Sequence, residues 1–346
     1  MAEPTKKLKT SSPLIGTHNG HFHADEALAI YLLRLLPHYS SSPLLRTRDP
    51  AQLATCHTVV DVGGEYDPAS NRYDHHQRTF TSTFPNRTTT KLSSAGLVYL
   101  HFGRAIIAQQ TAWPLDHDNV TVLYEKLYTD FVEAIDANDN GVSSTPDAEK
   151  RFKDFGLTIA SIVGDMNANR PGEALDEDAL FDRASAFIGG VFAQKLHLAN
   201  SAWLPARATV AKAYADRKDV HPSGRVIVLP QAGTPWKEHL YGCERDEAGT
   251  DAAAADDPSK VSYVLYPENA TEDAKWRVQA VSVTEGSFES RKPLPESWRG
   301  VRDEELDGVM GADIPDGAVF VHASGFIGGH KSKEGAFAMA SRALEI

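Results

Sequence analysis

A chain of 346 residues with 41% apolar and 24% charged residues lies in the ordinary globular range, which excludes collagen-like, coiled-coil or wholly disordered chains and favours two packed domains over one enlarged core. The formal net charge of −12 argues against a protein that coats nucleic acid non-specifically, because that affinity comes from cationic neutralisation of phosphates; a nucleic-acid substrate must then be gripped locally. Two cysteines without paired spacing, Cys56 and Cys243, exclude a disulfide framework and a thiolate zinc site and fit a reducing intracellular compartment, and no apolar run reaches the roughly 18 residues of a membrane span.

Residues 1–13 form a polar tail carrying Lys6, Lys7 and Lys9, read as a disordered leader with a nuclear or organellar address as the weaker option. From residue 14 the pattern is strand, helix, strand: LIGTH, then Asp25 to Leu36 at helical spacing, then HTVVDVG. Helices are predicted over Ser94 to Gln109 and Val120 to Ala137, where Val122, Leu123, Leu127, Phe131 and Ile135 share one apolar face. A first α/β domain on a parallel sheet is therefore expected over residues 14–165. The second, residues 166–346, opens with a helical connector at about 175–218 and continues with the strand-like runs RVIVLP, VSYVLYP and WRVQAVSV, an α+β pattern. Residues 249–260 read as an acidic surface loop, and the chain closes on a strand, a Gly-rich turn and a helix from Lys333.

Four clusters carry candidate chemistry. THNGHFHADEA places His18, His23 and Asp25 at a strand-to-helix loop, where open α/β sheets gather functional groups, and imidazole with carboxylate suits divalent metals. Asp61 follows the buried run HTVV and precedes a glycine turn, a place that also suits an ordinary turn acid. In RYDHHQ, Asp74, His75 and His76 are consecutive and cannot all point one way. One histidine can ligate while the other faces a substrate, and Asp74 suits the role of holding an imidazole tautomer. AIDANDNG ends a helix with Asp136; it also matches the start of an EF-hand loop through Asn138, Asn140 and Gly141. That match fails at Asp147, Ser143, Ser144 and Pro146. Together these groups fit a two-ion site for in-line phosphoryl displacement, with oxygen and imidazole donors suiting manganese or magnesium.

The ordered set of His-rich loop, strand-terminal Asp, Asp-His-His and late Asp resembles the DHH phosphoesterase superfamily. Within it, GTHNGHFHADEALA, DVGGEYD, RYDHHQ, IDANDNG, PWKEHLYGCE and VHASGFIGGHKSKEGA, spread over residues 15–340, resemble the Myg family of exonucleases. The resemblance implies a DHH-type parallel-sheet N-terminal domain, a smaller α+β C-terminal domain and an active-site cleft between them. It further implies two Mn²⁺ or Mg²⁺ ions, one held by His18, His23 and Asp61, the other by Asp25, Asp61, His75 and Asp136, with Asp61 as bridge. His76 would face the scissile phosphate and Asp74 would orient His75. The superfamily usually has aspartate at the position of His23, so the first site here is less negative. Gly328, Gly329 and His330 look like a Gly-Gly-His turn over the substrate, where successive amides would cradle an anion; Arg207 and Lys237 are further phosphate candidates. The implied function is 3′-to-5′ hydrolysis of single-stranded RNA ends, in nucleus and mitochondrion, with cytoplasm left open. The alternatives are a phosphohydrolase for short oligonucleotides or pyrophosphate, and a metal-binding scaffold without turnover.

Overall fold

Short parallel strands and one nearly all-apolar helix organise the first half of the chain, in a computed structural model that describes residues 12–144, 155–167, 176–248 and 260–346. The expected lysine tail, as far as residue 11, and the acidic loop, over 249–259, lie outside the described residues. The chain divides into two compact units, Met1–Asn200 and Ser201–Ile346, each a mixture of helix and a five-stranded sheet.

In the first unit β1 (Ile15–Thr17) leads into α1 (Ala24–Arg34), followed by β2 (Leu44–Arg46), the single turn α2 (Pro50–Leu53) and β3 (Thr58–Val60). β4 (Tyr66–Asp67) and β5 (Arg72–Tyr73) form a hairpin, and the sheet order is β2-β1-β3-β5-β4. β1 pairs in parallel with β2 and β3, and β3 with β5, so only the β4 edge runs antiparallel. The helices are α3 (Ser94–Thr111), α4 (Asp118–Leu127), α5 (Glu133–Asp139), α6 (Ile159–Asp165) and α7 (Glu177–Leu198). The predicted helix over residues 120–137 is thus divided by a π-helical segment, Tyr128–Val132.

Nine of the eleven residues of α1 are buried, which explains why ADEALAIYLLR lacks a polar face: α3 and α7 both pack on it. Each fully buried Leu or Ile there contributes roughly 1.5–3 kcal/mol relative to exposure. Gly189 of α7 permits this approach, since a Cβ there would collide with the Tyr31 ring. The expected domain boundary after residue 165 and the connector role for Glu177–Leu198 therefore differ from the structure. The apolar face of α7, with Phe181, Ile188 and Phe192 fully buried, belongs to the core of the first unit.

The second unit begins with α8 (Leu204–Ala215), α9 (Arg217–Val220), β6 (Val226–Val228), α10 (Lys237–Ala248), β7 (Tyr263–Pro267) and β8 (Trp276–Ala280). It ends with α11 (Asp303–Met310), β9 (Ala318–Val321), β10 (Ile327–His330) and α12 (Lys333–Glu345). Its sheet order is β6-β7-β8-β10-β9, antiparallel except for β6 with β7. One face carries Val226, Tyr263, Leu265, Val278 and Val321 into a core shared with Leu306, Ala336 and Met339. Among the described residues no helix is long and apolar enough to cross a membrane.

Candidate metal centre

Because β1, β2, β3 and β5 are mutually parallel, the residues that follow each of them emerge at one edge of the sheet. His18 follows β1, Arg48 comes two residues after β2, Asp61 follows β3, and Asp74, His75 and His76 follow β5. This is the carboxyl edge, where α/β sheets place their ligands. The first turn of α1 brings Asp25 and Glu26 to the same edge, and the last residue of α5 brings Asp139.

Three overlapping groups result, each with its donor atoms within 4.8 Å of one another: His18, His23, Glu26 and Asp61; Asp61, His75 and His76; Asp25, His75 and Asp139. His18 Nε2 stands 3.1 Å from Glu26 Oε1 and 3.4 Å from Asp61 Oδ2, while His75 Nε2 stands 3.0 Å from Asp139 Oδ2 and 3.5 Å from Asp61 Oδ1. Asp61 thus lies between the two histidines. Its backbone adopts the left-handed conformation, φ 58°, which aspartate tolerates better than most residues, and the Ser94 hydroxyl donates to its Oδ1 at 3.0 Å.

The arrangement fits divalent ions by what it leaves unpaired. Both carboxylate oxygens of Asp25 and Glu26 Oε2 are buried without a hydrogen-bond partner. Burying such groups unpaired costs several kcal/mol, and a bound cation removes that cost. Asp25 shows the same strain in its protonation: burial first, then the nearby Asp61, Asp139 and Glu26 carboxylates, hold its carboxyl well above the usual range. For His18 burial opposes protonation but is outweighed by Asp61 and Glu26, which push it up to about 10; for His75, burial is outweighed by Asp139 and Asp61 to the same value. The imidazoles take up protons as stand-ins for the positive charge that the carboxylates call for.

Two long-range clamps hold the His-rich loop. Asn167 pairs with both backbone groups of Phe22, accepting from its N–H at 3.0 Å and donating to its carbonyl at 2.8 Å. Arg46 donates to Gly20 O at 2.5 Å and to Glu177 O at 3.1 Å, with its guanidinium over the Phe22 and Phe181 rings. Beside the loop lies a cavity of about 290 Å³ lined by His18, His23, Arg48, Asp61, Val62, Gly63, Gly64, Asp74 and His76. Arg48 Nη2 is 3.2 Å from His18 Nδ1, which also faces Asn19 O at 3.2 Å.

The geometry places several of the expected residues elsewhere than in these groups. Asp136 does not join the donor groups: it is fully buried and accepts from the Ser93 N–H at 2.9 Å, the Ser93 hydroxyl at 2.7 Å and the Tyr128 hydroxyl at 2.9 Å. It closes the N-terminus of α3, and Gly96 has no side chain because a Cβ would strike this carboxylate. Asp139, one helical turn on, stands beside Asp25 and His75 instead. Asp74 holds His76, Nδ1 to Oδ1 at 2.6 Å, and not His75; its other oxygen accepts from Gly64 N–H at 2.5 Å.

In the second unit, Gly328 and Gly329 lie within strand β10 and not in a turn, so their amides form no anion nest. His330 is buried, with Nε2 donating to Pro315 O at 2.9 Å and Nδ1 accepting from Ser332 N–H at 3.0 Å, which consumes both ring nitrogens. Arg207 is exposed on α8, and Lys237, exposed at the start of α10, lies over the Trp236 ring. Sequence reasoning missed Glu26, Arg48, Asp139 and Asn167. Helical spacing of three residues from Asp136 is the one signal that could have pointed to Asp139.

The MYG1_exonuc family, described as an uncharacterised protein family (UPF0160), matches residues 14–344. The chain is 48% identical to the MYG1 exonuclease of Homo sapiens over 351 residues, covering 99% of this chain and 89% of that protein. It is 43% identical to a MYG1 protein of Saccharomyces cerevisiae over 98% of both chains, and 44% identical to one of Caenorhabditis elegans over 96% of this chain and 95% of that one. No solved structure matches it. The chain belongs to the MYG1 exonuclease family.

Proposed function

We propose that this chain is a metal-dependent nuclease that trims single-stranded RNA from the 3′ end, on a catalytic unit of the DHH phosphoesterase type. The observation that carries the reading is the convergence of His18, His23, Asp25, Asp61, His75 and Asp139 at one sheet edge with buried carboxylate oxygens left unpaired. The relatives named MYG1 exonuclease support exonucleolytic action. Two Mn²⁺ or Mg²⁺ ions, when bound, supply Lewis-acid activation of water and charge neutralisation at the phosphate. His18, His23 and Asp61 would hold one and Asp25, His75 and Asp139 the other, with Asp61, 3.5 Å from His75, available to both. His76, fixed through Nδ1 by Asp74, keeps Nε2 for a phosphate oxygen, and Arg48 adds a permanent cation to the same cavity. Residence in nucleus and mitochondrion belongs to the same proposal.

The cavity of about 290 Å³ adjoins the donor groups, and the net charge of −12 offers no extended basic track beyond it. Trimming is therefore distributive, and short oligomers are cleaved about as well as long ones. The same two facts favour, as a second reading, a phosphohydrolase for short oligonucleotides or pyrophosphate. The test follows end-labelled RNA and DNA of several lengths through a salt series with Mn²⁺, beside a circular RNA and pyrophosphate. Each neutralised phosphate of a single strand contributes about 0.7 to the logarithmic salt slope, so a shallow slope is expected. A steep slope with long RNA preferred contradicts distributive trimming, circular-RNA cleavage makes the enzyme an endonuclease, and pyrophosphate as sole substrate promotes the second reading.

A further inference from the structure

Glu26 occupies the first turn of α1, directly after Asp25. Its Oε1 accepts the His23 N–H at 2.8 Å, which is half of a capping box. A cap needs one acceptor oxygen and works at the protein surface; it does not require a charge, and glutamine serves equally. Glu26 departs from that minimum in three ways. Its side chain is wholly buried, its Oε2 has no partner, and its Oε1 also stands 3.1 Å from His18 Nε2. It further adds a negative charge beside a buried Asp25 that already faces Asp61 and Asp139. A residue present only to cap the helix would be selected against these costs.

We infer that Glu26 is a direct carboxylate donor to the divalent ion held by His18, His23 and Asp61. This rests on the metal-centre reading above. Without Glu26 that group would contain two neutral imidazoles and one carboxylate, Asp61, which is also within reach of His75 and His76. Glu26 is the carboxylate it does not share: its Oε1 stands 3.1 Å from His18 Nε2, among the donors of that group, and its Oε2 is committed to no hydrogen bond.

The test is Glu26→Gln, which keeps shape and capping acceptor and exchanges the second oxygen and the charge for a neutral amide NH2. Mn²⁺ is titrated into the chelator-stripped full chain and free ion is read by electron paramagnetic resonance, with thermal unfolding of the ion-free protein measured alongside. Affinity for one ion is expected to weaken by about tenfold or more while the other is nearly unchanged, and the ion-free variant melts at or above the wild type. Wild-type affinity for both ions in Glu26→Gln overturns the inference and leaves the residue a cap. A crystal of the wild-type chain grown with Mn²⁺ decides independently of any variant. A Glu26 oxygen at about 2.2 Å from an ion supports ligation, and one beyond about 3.5 Å overturns it. If the wild type binds no ion and Asp61→Ala behaves identically, the metal-centre reading falls as well. Failure confined to Glu26→Gln leaves that reading standing.

Discussion

Asp136 and Asp139 stand three residues apart on α5, and only Asp139 reaches His75, at 3.0 Å, while Asp136 is bound to Ser93 and Tyr128 at the start of α3. Asp139→Asn is accordingly expected to lose one ion and most turnover with little change in folding stability. Asp136→Ala, which strands three buried donors, should lower stability by about 1–3 kcal/mol. Ion content by mass spectrometry and denaturant unfolding of both variants check this; loss of an ion in Asp136→Asn with Asp139→Asn intact would reverse the assignment.

The two aspartates also separate by pH. Burial pushes the Asp136 carboxyl up to about 7, against the pull of the Ser93 and Tyr128 donors, from an ordinary value of 3.8. A group raised in the folded state contributes stability that is full below its unfolded value and is lost as pH rises through the folded one. Ion-free wild type should therefore lose stability relative to Asp136→Asn between pH 3.8 and about 7. A difference in melting temperature that stays flat over that window would refute it.

Asp74 binds His76, the histidine that the proposal gives to the phosphate, so Asp74→Asn and His76→Ala should each lower kcat by about 10–100-fold at full ion occupancy. Since one acts through the other, the double variant is expected to be little worse than His76→Ala. Asp61→Ala, by contrast, removes a carboxylate common to two donor groups and should abolish binding of both ions and all hydrolysis. Equal ion loss in His76→Ala and Asp61→Ala would contradict the division of roles.

Asn167 sets His23 from 144 positions away, by pairing with Phe22 between His21 and His23. Asn167→Ala should weaken the ion at His18 and His23 by severalfold and raise its dissociation rate, leaving the Asp25, His75 and Asp139 group unaffected. Stopped-flow chelation by a fluorescent indicator reads the two ions separately. Equal acceleration of both phases would make the clamp a general fold contact.

His330 serves the second unit internally, so His330→Ala is expected to reduce stability by about 1–3 kcal/mol with kcat/KM on short RNA within about twofold of wild type, measured below the melting transition. A large catalytic loss in a stably folded His330→Ala protein would restore a substrate role to this histidine.

The sequence by itself determined the parts that depend on local order. The strand, helix, strand opening and the placement of His18, Asp61, His75 and His76 after strands follow from alternation and helical spacing, because a residue directly after a parallel strand has only one sheet edge to occupy. What only the tertiary structure decided is which side chains of neighbouring positions meet. Asp136 and Asp139 differ by a rotation about α5 that packing against α3 selects. Whether FIGGH is a turn or a strand depends on pairing with β8 and β9, which lie 47 and 6 residues earlier in sequence. The membership of α7 in the first unit rests on a glycine meeting Tyr31 across 158 positions. Long-range contacts of this kind carry no local periodicity, so composition and spacing reach the edge of the site and packing selects its members.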